Sequence, residues 1–442
     1  MTAARLDLLL RTALFALTTL TLFTNAFLHP DLMTYDAFPH AEFLRIFEGW
    51  TNFHFLEPLP DHFEHGPTLF YVLFGKWNHI FESFFGLKQQ LPFLPTRVAL
   101  NALITIVLYL YFFFFVPKFW RTLSGRFLAC VLLVVVPNFF VISVMPRPDV
   151  LLFIAIQLLF FFWFQFDFHT TLWRDRWKAI AWGVLLVIAA NSRNIAFPAA
   201  AYFGIAGLWQ GIQRLRETKG SVRYAIAAWL LLAAGLSTAH YIARYQRTGS
   251  VIAQARPKDP RPFDRWAIVS NLNFAPIFKT PSRRSEFPPP GLAFWPVVYS
   301  DMWGDHLLYF SGHEPWDETK KILKRRTLGV AGPLTLLLLF VPFVLLARKR
   351  RRADPHWLRP ASFLWVSGFL LVTAVMIKEI DWGNTTAAKY GYYYAYGWFP
   401  GLVLAYVYEH HWKHARWKQI FLVYVLVVYI FSFNLCLYPR LG

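Results

Sequence analysis

Long apolar runs recur along the whole chain, and short polar or basic connections separate them. An apolar run of about twenty residues is long enough to cross the hydrocarbon core of a bilayer as a helix. Windows of this length predict an all-α polytopic membrane protein with about eleven transmembrane helices. The predicted spans cover residues 8–28, 92–116, 126–144, 149–167, 178–191, 194–209, 223–243, 327–347, 359–377, 391–408 and 418–437.

The fifth and sixth spans are short and share a polar connection, "NSRN" at residues 191–194. The pattern leaves two interpretations open, namely two separate spans or one broken helix. Lys and Arg in short loops favour the cytoplasmic side of a membrane. With two separate spans and a cytoplasmic N-terminus, all five short basic loops fall on that side. These loops are 117–126, 174–178, 214–223, 348–352 and 413–418.

Two long segments, 29–91 and 244–326, then face outward. The first contains "HGPTLFYVLFGKWNHIFESFFG" at 65–86, an apolar stretch interrupted by polar residues, which is typical of an amphipathic helix lying in the membrane interface. We therefore expect three regions: an N-terminal membrane module at 1–243 that includes the outer loop 29–91, an outer loop at 244–326, and C-terminal spans at 327–442.

The composition also supports a membrane protein. Of the 442 residues, 56% are hydrophobic and 19% aromatic, which excludes a soluble protein of this length. The net charge is +19. Since the basic residues lie mostly between spans, they indicate membrane orientation and anionic lipid headgroups as partners, with no nucleic acid. The two cysteines fall inside predicted spans and give neither a metal spacing nor a disulfide framework.

Ionisable residues at a membrane face are candidate site residues, because an unpaired charge there is costly. Four groups qualify, and the predicted topology places all of them on the outer side. They are Asp36 after the first span, the pair Arg147 and Asp149 in "SVMPRPDVLLF", Arg193 in the "NSRN" connection, and Lys389 before a run of tyrosines.

Each group also has an ordinary structural interpretation. Asp36 suits a solvated loop acid or a helix N-cap. Asp149 suits an N-cap, while Arg147 and Arg193 suit long side chains reaching the headgroups. Lys389 and the tyrosines suit an interfacial belt. In "YSDMWGDH" at 299–306, the polar residues Asp301, Asp305 and His306 are expected to be solvated loop residues, although "MWGDHL" at 302–307 also resembles a Trp-Gly-acid motif of the family named below, which implies Asp305 as a candidate contact to a sugar or an acceptor.

The sequence contains no Walker loop, zinc HExxH motif, nucleophile elbow or Cys-x-x-Cys pair. Carboxylates and phosphate-binding cations are sufficient for glycosyl transfer from a phosphorylated lipid. A carboxylate removes the proton from the acceptor hydroxyl as that hydroxyl attacks the anomeric carbon. Cations stabilise the negative charge that develops on the departing phosphate.

The order of four motifs resembles a known family. These are Asp36 in the first outer loop, "HGPT" at 65–68, "LPTR" at 94–97 and "MPRPD" at 145–149. Together they resemble membrane glycosyltransferases of the GT-C fold, of the protein O-mannosyltransferase type. The bacterial branch that includes the lipid A aminoarabinose transferase is the most similar. The stretches 191–202 and 387–400 resemble later motifs of this family, so the resemblance covers mainly residues 8–210.

The resemblance implies a GT-C bundle, an inverting reaction and a polyprenyl-phosphate sugar donor. Asp36 corresponds to the catalytic base, and Asp149 helps to position it or the acceptor. Arg147, Arg193 and Lys389 would bind the donor phosphate, and His40 and His65 are candidate sugar or acceptor contacts. The implied location is the bacterial inner membrane, with the active site on its outer face. The acceptor, whether lipid, glycan or protein, stays open.

The resemblance has one departure, because Ala37 stands where the family usually has a second acid. A divalent metal also stays open. His40, Glu42, His62, Glu64 and His65 carry ligand atoms, but their spacing fits no standard site, and several family members work without metal.

Two other function classes fit parts of the pattern. A transporter or flippase of a lipid-linked sugar would explain the cations, but it predicts inverted repeats and charged or broken helices near the midplane. A cell-surface glycan polymerase or ligase would be built around a very large late outer loop with paired arginines. Arg283 and Arg284 in the segment 244–326 keep that alternative open.

Overall fold

The structure is a computed structural model, and it describes residues 2–28, 44–47, 69–85, 93–143, 145–217, 221–248, 264–278, 293–304, 318–379 and 390–436. Within these ranges the secondary structure is helical and contains no strand. Seven of the described helices are long and apolar enough to cross a membrane, so the chain is an all-α, multi-pass integral membrane protein. They are Ala3–Leu28, Leu94–Phe119, Pro148–Gln165, Asn194–Arg216, Ile322–Ala347, Leu358–Lys378 and Ala415–Leu435.

The chain forms two compact units. The first unit comprises Met1–Ala41, Lys88–Pro146 and Pro257–Gly442, and the second comprises Glu42–Leu87 and Arg147–Arg256. The main helices of the first unit are α1 Ala3–Leu28, α3 Leu94–Leu110, α4 Leu123–Val134, α9 Phe294–Gly304, α10 Glu318–Ala347, α11 Leu358–Glu379, α12 Trp398–His410 and α13 Ala415–Cys436. Those of the second unit are α2 Leu69–Phe85, α5 Pro148–Gln165, α6 Arg176–Ala190, α7 Phe197–Glu217 and α8 Ser221–Thr248.

The other four predicted spans fall on helices that are shorter, broken or apolar over only part of their length. The span 126–144 is divided at Pro137 into α4 and a short helix, Asn138–Ser143. The span 178–191 is the 15-residue helix α6. Only part of α8, Ile226–Thr238, is strongly apolar. The span 391–408 begins as a 3-10 helix, Tyr390–Tyr396, before α12. Seven of the described helices therefore reach full spanning length, and the prediction of about eleven spans stays a prediction.

The "NSRN" connection separates two helices that fold back on each other. The indole Nε1 of Trp182 in α6 donates to the carbonyl of Phe203 in α7, at 3.1 Å. Trp173 Nε1, before α6, donates to the carbonyl of Gly207 at 2.9 Å. The contact nearer the "NSRN" connection thus joins the higher residue number on the α6 side to the lower residue number in α7. The two helices are an antiparallel hairpin, and the interpretation as one broken helix is wrong.

Close packing in this hairpin depends on Gly207. A Cβ at Gly207 would lie 2.4 Å from the Trp182 ring, whereas a Cβ at Gly235 in α8 would meet no atom within 4 Å. We expect Gly207→Ala to destabilise the protein by about 1–3 kcal/mol because the rings must shift. Gly235→Ala, the matched control, should be neutral or stabilising by up to about 1 kcal/mol. Thermal melting of both variants in detergent measures the difference, and equal melting temperatures would contradict this packing.

Helix α2 of the second unit has an apolar stripe on its exposed side. Leu73, Trp77, Ile80 and Phe84 recur at helical spacing and are all well exposed. Lys76, Asn78 and Glu82 are buried on the remaining surface. In a membrane protein, an exposed apolar stripe suits contact with lipid chains.

A buried charge cluster joins α1 to α3 and α4 in the first unit. Arg11 donates to both carboxylate oxygens of Asp7, at 3.1 and 2.8 Å, and to the carbonyl of Phe112, at 2.6 Å. Arg126 Nη1 also reaches Asp7 Oδ2, at 3.0 Å. Phe112 lies in a π-helical turn, Tyr111–Phe115, so the carbonyl that accepts from Arg11 belongs to this turn. We name Asp7, Arg11 and Arg126 the Asp7 cluster.

Helix α10 continues through Pro333 with help from a neighbouring helix. Proline removes a backbone donor and opens the helix on its N-terminal side. The Tyr424 hydroxyl of α13 accepts from the Leu334 amide at 3.0 Å and donates to the Val330 carbonyl at 2.7 Å. One side chain thus satisfies the donor and the acceptor that face each other at the break.

Candidate functional site

Asp149 lies in the first turn of α5 because the local sequence starts a helix there. Arg147 has an extended backbone (φ −123°, ψ 145°) and precedes the helix, and Pro148 is its first residue. Proline suits that position, where its missing N–H is not needed and its fixed φ is already helical. Asp149 follows, at the positive end of the helix dipole, where a carboxylate is favoured.

Three of the residues proposed from sequence come together in the second unit. Arg147 Nε lies 3.2 Å from Asp149 Oδ2. Arg193 Nη1 donates to the same oxygen at 2.5 Å, across 44 positions of sequence. We name Arg147, Asp149 and Arg193 the Asp149 cluster. Asp149 Oδ2 therefore forms ion pairs with two guanidinium groups from different parts of the chain, and the Arg193 contact is also a hydrogen bond.

This geometry replaces the ordinary interpretation of the pair. Arg147 and Asp149 are each only 1% exposed, so Arg147 does not reach out to headgroups. The Asp149 carboxylate faces arginines instead of serving only as a cap. Its second oxygen, Oδ1, is buried and has no hydrogen-bond partner among the described residues. A buried acceptor without a partner is costly, and such a group is a candidate ligand contact.

The hairpin tip holds Arg193 in place through its neighbours. The Asn191 amide donates to the carbonyls of Val187 and Leu236, at 2.9 and 3.1 Å. The Tyr241 hydroxyl donates to the Ala190 carbonyl at 2.8 Å. The last carbonyls of α6 are thereby satisfied, and the chain turns sharply enough to bring Arg193 to the start of α5. The Arg193 side chain keeps 18% of its surface exposed.

The Asp149 cluster contains two groups that bind anions, its guanidinium groups. Both carry a positive charge, because arginine stays protonated in proteins. A planar guanidinium matches the oxygens of a phosphate as well as those of a carboxylate. The guanidinium groups of the Asp149 cluster are therefore suited to contact phosphate oxygens, such as those of a phosphodiester.

Other proposed residues lie outside the described part of the chain. These are Asp36, His40, His65, Asp305 and Lys389. The candidate metal ligands Glu42, His62 and Glu64 lie outside it as well. Their assigned roles stay predictions.

Sequence reasoning missed a buried acid in the first unit. Asp301 was expected to be a solvated loop residue, but it lies in α9 and is only 1% exposed. Asn138, also 1% exposed, donates its amide to the Asp301 backbone carbonyl at 2.9 Å. The signal was present in "FWPVVYSDMW", where the acid stands within a helix-length apolar run.

The tyrosine run also differs from its ordinary interpretation. Tyr393, Tyr394 and Tyr396 are at most 3% exposed, so they are packed inside the protein rather than forming an interfacial belt. The Tyr393 hydroxyl contacts Thr373 Oγ1 at 2.7 Å. A Cβ at Gly368 would lie 2.7 Å from the Tyr396 ring. These contacts attach the 3-10 helix to α11.

Among the described residues, two further cations are buried. Arg97 at the start of α3 is 3% exposed, and its Nη1 donates to the carbonyl of Ala26, near the end of α1, at 3.4 Å. Lys324 in α10 is 3% exposed. The pattern of spans gave no reason to place either cation inside the protein, since both stand close to the predicted ends of spans.

The chain was compared with protein-family models and with curated proteins. No family model matches it, and no curated protein matches it. The candidate site therefore rests on its own geometry and on the chemistry of its side chains.

Proposed function

We propose that this chain is a membrane glycosyltransferase that moves a sugar from a polyprenyl-phosphate donor to an acceptor hydroxyl. The observation that carries the proposal is the Asp149 cluster, in which two arginines share one buried carboxylate oxygen. A polyprenyl-phosphate sugar is a phosphodiester, and guanidinium groups match the oxygens of a phosphate. The chemistry of the two guanidinium groups therefore supports a phosphorylated donor.

Transfer would increase the charge that the arginines stabilise. The acceptor oxygen attacks the anomeric carbon, the bond from that carbon to the phosphate oxygen breaks, and its electron pair leaves with the phosphate. The proton of the acceptor hydroxyl goes to a carboxylate, and Asp36 is the proposed base. Attack from the face opposite the phosphate inverts the anomeric centre. Arg147 and Arg193 then face a phosphate monoester with greater negative charge, so their interaction is stronger late in the reaction than at its start.

The proposed site belongs on the outer face of the bacterial inner membrane, with the N-terminus in the cytoplasm. That orientation follows from the basic loops of the sequence. A GT-C arrangement of the helices and a lipid, glycan or protein acceptor belong to the same proposal. Asp149 in this scheme positions the two arginines, whereas Asp36 acts on the acceptor.

Asp36→Asn tests the base directly. The purified wild type and variant are incubated with radiolabelled polyprenyl-phosphate sugars and membrane extract, and transfer of label is measured. We expect the variant to be about 10²- to 10⁴-fold slower, because asparagine cannot accept the proton. The matched control is Asp264→Asn. Asp264 is an exposed N-cap that accepts from the amides of Trp266 and Ala267, a role that asparagine also fills.

Equal rates in wild type and Asp36→Asn would remove Asp36 as the base. The transporter alternative predicts a different result, namely that the donor crosses the bilayer of proteoliposomes intact and no label reaches an acceptor. Measuring both label transfer and donor orientation in one preparation separates the two function classes.

A further inference from the structure

Three basic loops of the first unit meet at one end of its helices. Trp120 in loop 117–126 packs its ring 5.2 Å from that of Trp357 in loop 348–357. Glu409 Oε1, at the end of α12, accepts from the amides of Arg121 and Thr122, at 2.8 and 3.0 Å. Loop 411–418 joins them, since Arg348 Nη1 lies 3.1 Å from His411 Nε2. The loops are thus one continuous surface.

Internal bonds hold the middle loop in shape. Arg348 Nη2 donates to both oxygens of Asp354, at 2.9 and 3.0 Å. The Arg351 amide donates to Asp354 Oδ2 at 3.0 Å, and Arg359 donates to the Arg348 carbonyl. The loop therefore has a fixed conformation from Arg348 to Asp354, and the side chains between these residues point outward.

The exposed charges of this surface are all positive. Within loops 117–126, 348–357 and 411–418, which the structure describes in full, the only acid is Asp354. Asp354 is buried and accepts from the Arg348 guanidinium group. Glu409 beside them is buried too. Burial, together with Arg348 and Arg351, lowers the pKa of His411, so its neutral ring accepts from Arg348. Lys118 is exposed in the same loops. We name the other exposed cations the basic surface, and they are Arg121, Lys349, Arg350, Arg351, Arg352, Lys413 and Arg416.

The basic surface lies at the ends of four helices that are long and apolar enough to span a membrane. The spanning stretches Leu94–Phe119, Ile322–Ala347, Leu358–Lys378 and Ala415–Leu435 each begin or end within a few residues of it. Trp417 is 62% exposed between Arg416 and Lys418, which is the position of an interfacial tryptophan anchor.

We propose that the basic surface binds the phosphodiester headgroups of anionic phospholipids. Its charge is concentrated and uncompensated, its central loop is pre-formed, and it lies where the spans leave the membrane. A cation near an anionic bilayer contributes about 1 kcal/mol, or roughly fivefold in affinity. Several cations held on one rigid surface therefore select anionic over zwitterionic lipid. This inference is independent of sugar transfer.

The test uses the full chain in detergent, titrated with phosphatidylglycerol or phosphatidylcholine and read by native mass spectrometry. Arg350→Gln/Arg352→Gln removes two cations from the basic surface. Arg174→Gln/Arg176→Gln is the matched control, because it removes two exposed cations from another basic loop, where Asp175 is exposed between them. We expect the first variant to bind phosphatidylglycerol roughly ten- to thirtyfold more weakly than wild type. The control should retain wild-type binding.

Three results would overturn the proposal. In the first, the wild type binds both lipids equally. In the second, the two double variants lose affinity to the same extent, which would mean that overall charge decides binding. In the third, soluble glycerol phosphate displaces the lipid at concentrations similar to those of phosphatidylglycerol, which would make the surface a site for free phosphates. Equal thermal melting of both variants and wild type ensures that a loss of binding is not a loss of fold.

Discussion

Asp149→Asn is expected to lower the free energy of unfolding by about 3–5 kcal/mol and to abolish sugar transfer. Removing the carboxylate leaves Arg147, which is fully buried, and Arg193 facing each other without their shared counterion. Removing one partner of a buried ion pair costs several kcal/mol, whereas the intact pair is close to neutral for stability. Thermal melting in detergent measures the first effect, and the radiolabel assay below the melting temperature measures the second.

Asp167→Asn is the matched control for Asp149. Asp167 stands just past the other end of α5, is exposed, and has a left-handed backbone (φ 54°) that asparagine tolerates equally well. Its replacement should change stability by less than about 0.5 kcal/mol. The double variant Asp149→Asn/Arg193→Gln should melt at a higher temperature than Asp149→Asn alone, because one stranded cation has been removed. If Asp149→Asn melts like wild type, the carboxylate is not the counterion of the two arginines.

Asp7→Asn should be similarly destabilising, by about 3 kcal/mol, but without effect on the transfer rate of the folded protein. Asp7 and Arg11 are buried, and the variant leaves Arg11 and Arg126 without the carboxylate that both contact. The Asp7 cluster, like the Asp149 cluster, contains two arginines and one aspartate. Besides contacting Asp7, Arg11 donates to the Phe112 carbonyl and Arg126 donates to the Trp120 carbonyl. The measurements are thermal melting and the transfer rate per folded molecule.

Asp175→Asn provides the comparison for Asp7. Asp175 pairs with Lys178 at 3.3 Å on the surface, and such exposed pairs contribute at most about 1 kcal/mol. A small effect here and a large one at Asp7 would confirm that burial sets the cost. If folded Asp7→Asn protein lost sugar transfer, the Asp7 cluster would have a role in the reaction and would not be purely structural.

The sequence alone predicted the membrane class and the position of most helices, because long apolar runs determine both. It also identified Arg147, Asp149 and Arg193 as unusual, since charges between apolar segments need partners. Their meeting at one oxygen could not be read from the chain, because it depends on the hairpin turn at Asn191 and Ser192. The alternative of one broken helix would have carried Arg193 away from α5.

The sequence-based interpretation failed where burial depends on neighbours distant in the chain. Asp301 and the tyrosines at 393–396 stand in stretches whose composition is ordinary for a loop or an interface. Whether such residues are solvated depends on α10 and α11, which pack against them. Four predicted spans do not fall on described helices of full spanning length, for a related reason. Hydropathy windows do not register a proline that divides a run, as Pro137 does, or a 3-10 start such as Tyr390–Tyr396.

The Tyr424 hydroxyl bridges α10 at Pro333, so positions 333 and 424 are expected to be coupled in evolution. With alanine at 333 the helix would close its own hydrogen bond, and phenylalanine at 424 would then cost little. With proline at 333, loss of the hydroxyl would leave the Leu334 amide and the Val330 carbonyl without this partner inside the membrane. The two residues are therefore expected to covary among homologues. An alignment of homologues would reveal this pairing, which neither helix shows separately.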